Sequence, residues 1–393
     1  MEIVTNDGTM VYVHAGVSPY ALQRQMAAAV GYDLAVGNVD ADAALEIVTP
    51  GGQMIDGVSR NVEWDYTGGF GIHLDLADLD NDSMLEIIGA GFCQKVTAFD
   101  ADIKAIKWEF PTAHEISALR TADTDDDSRP EVLVGDGQWG SVACHDGAAG
   151  APLWFIPNPE HGVTDIAYGD FDKDGADEVV WGAGYSTTSP DYLHVADVDS
   201  GTIEWQSEHL DGPIDVAVGD VDSHGKDEIV TANYRSENGY NGGVIRVFDA
   251  LTHQRMWRRD PSPFNYMGTR ALEIGDVNDD GHAEFVFGSS EYYDGFVVIQ
   301  DSQVIGERRT PSYSGNSFTA IAIGDVDGDG ATDIVAGQGR AHTGADGAHI
   351  VVFEGATALE SGGASPSASS GGMSMTSRLP TSTGTAGQRS SRP

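Results

Sequence analysis

One nine-residue phrase constrains this chain more than any other: Asp170-Phe171-Asp172-Lys173-Asp174-Gly175-Ala176-Asp177-Glu178, followed by the apolar pair Val179-Val180. Carboxylates at its positions 1, 3, 5 and 9 converge on one point if the backbone turns sharply, and the glycine at position 6 permits that turn. Oxygens gathered in this way suit a hard cation, and Ca²⁺ takes 6–8 of them at roughly 2.3–2.6 Å. Position 7, here Ala176, offers a backbone carbonyl.

The phrase occurs seven times, starting at Asn38, Asp78, Asp123, Asp170, Asp220, Asp276 and Asp325, at intervals of 40 to 56 residues. A period in this range signals a propeller or another repeat array in which each unit buries its apolar face against the next. Each repeat reads as four short strands. Ile166-Ala167-Tyr168 enters the acidic loop and Glu178-Val179-Val180-Trp181 leaves it. Val244-Ile245-Arg246-Val247-Phe248 alternates with the period of a half-buried third strand, and the fourth centres on a tryptophan: Trp64, Trp108, Trp154, Trp205 or Trp257. These tryptophans read as packing between neighbouring units.

The expected fold is therefore all-β, a propeller of four-stranded blades over residues 1–355. Seven acidic loops give seven inner strands, and Glu2–Val4 with Met10–His14 adds a strand pair. Eight blades, the N-terminal one incomplete, is the first reading, and a seven-bladed ring with a displaced hairpin is the second. Glu2-Ile3-Val4 matches Glu46-Ile47-Val48, the strand that follows a loop, so further residues, a secretion signal among them, are expected upstream of Met1. Residues 356–393 are expected to be disordered: from Ser361 onward the chain is rich in Ser, Gly, Thr and Pro and carries no acid.

The loops differ in quality. Loops four (Asp170, Asp172, Asp174, Glu178) and seven (Asp325, Asp327, Asp329, Asp333) keep every acid and the glycine. Loop six has Asp276, Asn278, Asp280 and Glu284. Loops two (Asp78, Asp80, Asp82, Glu86) and three (Asp123, Asp125, Asp127, Glu131) carry serine at position 6, Ser83 and Ser128, and should bind more weakly. Loop one has Asn38, Asp40, Asp42 and Glu46 with Ala43 at position 6, and loop five has Asp220, Asp222 and Glu228 with His224 where an acid belongs. An imidazole nitrogen is a poor ligand for a hard cation.

These loops with their following strand and glycine, as in Asp325-Val326-Asp327-Gly328-Asp329-Gly330-Ala331-Thr332-Asp333-Ile334-Val335-Ala336-Gly337, resemble the FG-GAP/VCBS repeat of integrin α-subunit propellers. The tryptophan strand also resembles the PQQ-like propeller repeat. The first resemblance implies bound calcium, an extracellular or cell-surface setting, and a ligand face opposite the calcium loops. Candidate residues on that face are Trp139, Tyr185, Tyr234, Arg235, Tyr240, Tyr292, Tyr293 and Arg340. Aromatic and guanidinium groups of this kind fit a carbohydrate or protein ligand. A related calcium propeller occurs in rhamnogalacturonan lyases, which makes a polysaccharide lyase the alternative. His73, His114, His161 and His342 have no partner at catalytic spacing, and no phosphate loop, Gly-x-Ser-x-Gly elbow or His-Glu-x-x-His motif is present.

Net charge is −41, from 62 acidic against 21 basic residues, only five of them lysine. Such a surface repels nucleic acid and anionic lipid, and no apolar run approaches the roughly 18 residues of a membrane helix. A monomer is expected. Seven divalent ions would supply 14 positive charges, so the acid excess outruns the loops and points to a saline habitat. Cys93 and Cys144 fit no disulfide or zinc pattern and read as small buried hydrophobes.

Overall fold

The computed structural model describes residues 2–6, 8–27, 33–91, 94–184, 191–210, 212–233, 245–259, 269–289, 296–300, 304–309, 316–340, 349–357 and 359–364. The strands form seven four-stranded antiparallel sheets and one three-stranded sheet, each a simple up-and-down meander, so the molecule is a seven-bladed β-propeller with an additional N-terminal sheet. Blade four shows the plan: Val163–Gly169 innermost, then Glu178–Ala183, Leu193–Asp197 and the outermost Thr202–Gln206. The other inner strands are Ala35–Gly37, His73–Ala77, Ile116–Ala122, Ile214–Gly219, Thr269–Gly275 and Asn316–Gly324.

Second strands are buried on both faces. Glu178–Ala183 is buried at every position, as is Glu228–Asn233, because each lies between the blades on either side. A strand buried on both sides reads as a continuous apolar run rather than an alternation, which is the pattern of Val179-Val180-Trp181.

The tryptophans pack between blades. Trp108 lies among Val132 and Val134 of blade three and donates its indole N–H to the Gly147 carbonyl there at 2.7 Å. Trp205 meets Phe248 of blade five edge-on, and Trp257 meets Phe285 of blade six in the same way. Around the axis the inner strands are tied across blade boundaries. Asp33 accepts from Leu74 N–H at 2.7 Å, Asp75 from the Thr121 hydroxyl at 3.0 Å, and Asp165 from both Arg120 (2.9 Å) and Val216 N–H (3.0 Å).

The N-terminal sheet, Glu2–Asn6, Met10–Ala15 and Leu22–Ala27, sits between the last blade and the first. Ile3, Tyr12 and Tyr20 share a core with Val326, Val335 and Val352 of blade seven, whereas Val11 and Val13 share one with Ile47 and Ile55 of blade one. The sheet thus bridges the first and last of the seven blades. The blade count is the seven of the second sequence reading and not the eight of the first, and the N-terminal hairpin gains Leu22–Ala27 as a third strand.

At the other end the last blade is completed by Leu359–Ala364, which pairs with His349–Glu354. The propeller therefore runs past the expected boundary at residue 355. The strand was missed because Leu-Glu-Ser-Gly-Gly-Ala has neither a tryptophan nor a β-branched residue, and its place is set by backbone pairing. Residues 365–393 lie outside the described residues.

Candidate metal loops and the opposite face

All seven acidic loops join an inner strand to the second strand of its blade. In every one the position-9 carboxylate gives one oxygen to the backbone N–H of position 2. Glu46, Glu86, Glu131, Glu178, Glu228, Glu284 and Asp333 accept in this way from Val39, Leu79, Thr124, Phe171, Val221, Val277 and Val326. The loop is thereby folded back over its own end, and in loop four an oxygen of Glu178 lies within 4.8 Å of oxygens of Asp170 and Asp172.

A second shared contact fixes position 1. Its carboxylate accepts the position-6 N–H in loops two to seven, from Ser83, Ser128, Gly175, Gly225, Gly281 and Gly330, at 2.8–3.2 Å. All six donors have positive φ, between 70° and 97°. A Cβ on Gly175, Gly225, Gly281 or Gly330 would meet nothing within 4 Å, so glycine stands there for its backbone freedom and not for space. Ser83 and Ser128 hold the same conformation at a cost that glycine avoids.

The chemistry of the donors fits a hard cation. One oxygen from each of Asp170, Asp172 and Glu178 lies within 4.8 Å of the others, and the same is true of Asp123, Asp125 and Asp127. Several of these oxygens are buried without a hydrogen-bond partner: Oδ1 of Asn38, Oε1 of Glu46, Oδ1 of Asp170 and Oδ2 of Asp222. Glu46 is fully buried. Burial, with the neighbouring acids adding to it, pushes Glu46, Glu178 and Glu228 up to about 7, and Asp333 to about 6. The arrangement disfavours four anions together unless something positive joins them.

Neighbouring loops also hold one another. Position 4 of one loop reaches the end of the next: Lys173 to Asp227, Ser223 to His282 at 2.7 Å, and Asp279 to Thr332 at 2.8 Å. His224 pairs with Asp222 inside loop five, so the imidazole that replaces the acid there is itself bound to a candidate ligand.

Three groups of residues escaped the sequence reading. Asp56, Asp100, Asp197 and Asp249 end their third strands and Asp146 directly follows one, and each accepts the N–H three residues on, capping the outer turn. Their signal was their spacing before a turn. Asp33, Asp75, Arg120 and Asp165 form the cross-blade links around the axis. Lys107 and Glu63, each just before a blade tryptophan, reach into loops two and one: Lys107 pairs with Asp80 and, at 3.1 Å, with Glu86, and Glu63 converges with Asp40 and Glu46.

On the opposite face, where second strands turn into third strands, Trp139 has φ 53° and is 61% exposed. Its ring stands edge-on to His161, with centroids 4.0 Å apart. Asn158 binds the His161 carbonyl through its amide nitrogen, accepts the Trp181 indole N–H at 3.1 Å, and donates its backbone N–H to the carbonyl of Gly140, next to Trp139, at 3.0 Å. Arg340 ends the second strand of blade seven, opposite Asn316. Tyr185, Tyr234, Arg235, Tyr240, Tyr292, Tyr293 and His342 lie outside the described residues, as does Cys93. Cys144 is fully buried, and burial pushes its thiol up to about 12. Among the described residues no helix is long and apolar enough to cross a membrane.

The chain shares the β-propeller fold with solved structures of several kinds. BamB from Moraxella catarrhalis is similar at a TM-score of 0.52 and 14% identity, covering 90% of this chain and 91% of that one. The dihydro-heme d1 dehydrogenase NirN, in complex with DHE, is similar at a TM-score of 0.63 and 13% identity, covering 95% and 73%. BBS1N in complex with ARL6DN is similar at 0.53 and 11%, covering 90% and 95%. Likeness at such identity is likeness of fold alone. No protein-family model matches the sequence, and no curated protein does.

Proposed function

We propose that this chain is a calcium-stabilised binding propeller with loops of the FG-GAP/VCBS kind, displayed outside the cell or on its surface, which takes a carbohydrate or protein ligand on the face opposite those loops. Calcium would be held by the acids of loops four and seven first, and then by those of loops one, three and six. Its chemistry there is charge compensation and loop bracing. The ligand side rests on one observation: Trp139 presents most of an indole to solvent from a loop held at Gly140 by the Asn158 backbone N–H. A rigid exposed aromatic costs little entropy to bury and suits stacking on a sugar or insertion into a protein pocket. The BBS1N structure, a propeller carrying a protein partner, supports the second kind of ligand.

The reading is tested by screening the chain against glycans and surface proteins and repeating any positive with Trp139→Ala. The expected result is a loss of about 2 kcal/mol of binding, roughly thirtyfold in Kd, with the melting temperature unchanged because the side chain packs little. Binding that survives the substitution, or release of unsaturated uronide from an acidic polysaccharide, would contradict it.

A further inference from the structure

The outermost strand of every blade carries a β-bulge at the same place. In blade one Met54 pairs with Trp64 and Ile55 with Val62, which leaves Glu63 as the extra residue. In blade two Ala98 pairs with Trp108 and Phe99 with Ile106, which leaves Lys107. The same step leaves Leu153, Glu204 and Met256 in blades three to five, and Ile305 and Ser361 in blades six and seven. A bulge re-aims the side chain of its extra residue. Here the turn is toward the acidic loop of the same blade: Glu63 joins Asp40 and Glu46, Glu204 feels Asp172 and Asp174, and the Lys107 ammonium lies against Asp80 and Glu86.

Blades one and two treat one oxygen of the position-9 acid differently. Glu46 and Glu86 each use Oε2 to hold a backbone N–H. Oε1 of Glu46 is buried with no partner, whereas Oε1 of Glu86 accepts from Lys107 at 3.1 Å. The Lys107 side chain is 15% exposed and that of Glu86 is 4% exposed, so the contact lies inside the loop and not on its rim. Lys107 touches positions 3 and 9, whose counterparts in loop four, Asp172 and Glu178, converge with Asp170. A divalent ion and an ammonium cannot share a centre of that size without strong repulsion.

We propose that Lys107 is the resident cation of loop two, a tethered ammonium in the place that a divalent ion takes in loops one and four. The bulge position before the blade tryptophan thus sets each loop's demand for metal: an acid raises it, as Glu63 does, and a lysine removes it. The inference rests on the calcium reading of the other loops, and the experiment separates the two. Calcium per chain is counted by elemental analysis after gel filtration in micromolar CaCl₂, for the parent protein, Lys107→Met, Lys107→Arg and Glu63→Lys. The expected counts are one ion more than the parent in Lys107→Met, the parent number in Lys107→Arg, and one fewer in Glu63→Lys.

A folded Lys107→Met protein with the parent count overturns the assignment. A parent count above zero then leaves the calcium reading standing, and a count of zero throughout removes both. If Lys107→Met does not fold, Glu63→Lys decides alone, and an unchanged count there overturns the inference.

Discussion

Glu46 shows what the repeated phrase asks of a single side chain. One oxygen is spent on the Val39 N–H and the other is buried with nothing to bind, beside Asp40, Asp42 and Glu63. Without a cation, burial and these neighbours favour its protonated form, as they do for Glu178, Glu228 and Asp333. The sign follows from linkage. An acid whose folded-state value lies above its unfolded value near 4.3 binds more protons when folded, so stability is present at low pH and lost as pH rises through the folded value. Metal-free protein should therefore lose melting temperature between about pH 5 and pH 7, the window set by the values near 7 and near 6. Protein saturated with Ca²⁺ should not, because the ion favours the ionised acids. A metal-free melting temperature that is flat or rises across that window would contradict the cradle geometry. Four carboxylates in phase were legible in the sequence, but the division of labour between the two oxygens of the position-9 acid was not, since it depends on a backbone N–H seven residues away.

At the scale of the element, the tryptophan strand carries the most information. Its role as packing between blades was legible from its regular place after each turn, and Trp108 fulfils it with an indole hydrogen bond to Gly147 as well as apolar burial. Trp108→Phe should keep most of the contact area and lose the hydrogen bond, costing about 1–2 kcal/mol of stability in a denaturant titration. A cost near zero would mean that the indole N–H is well served by water. The bulge one residue earlier was not legible, because a register shift depends on the partner strand, and no local pattern in Ile106-Lys107-Trp108 announces it. For the same reason the last outer strand, Leu359–Ala364, was invisible: a strand of Gly and Ser is specified by its neighbour. The ligand face was legible only as a composition of aromatic and polar loop residues, of which Trp139 and the strand position of Arg340 are described.

Across the whole molecule, repeat period and strand count gave the propeller, and the three-stranded N-terminal sheet lies where the unpaired hairpin of the sequence implied an incomplete unit. Closure joins the first and last blades through the cores that this sheet shares with each. The charge of −41 is a property at this scale. Self-repulsion of that size is screened over about 3 Å in molar salt, against about 10 Å at 0.1 M. The melting temperature of calcium-loaded protein should rise between 0.1 M and molar KCl, and a fall would remove the saline habitat from the account. On this reading acidic loops one, three, four, six and seven grip divalent ions, and that grip holds the ring. Thermal melting of the chain stripped by chelator and then titrated with CaCl₂, in KCl of fixed molar strength, tests it most directly. The expected result is a low melting temperature that climbs and saturates with calcium, and a melting temperature indifferent to calcium throughout would overturn the assignment.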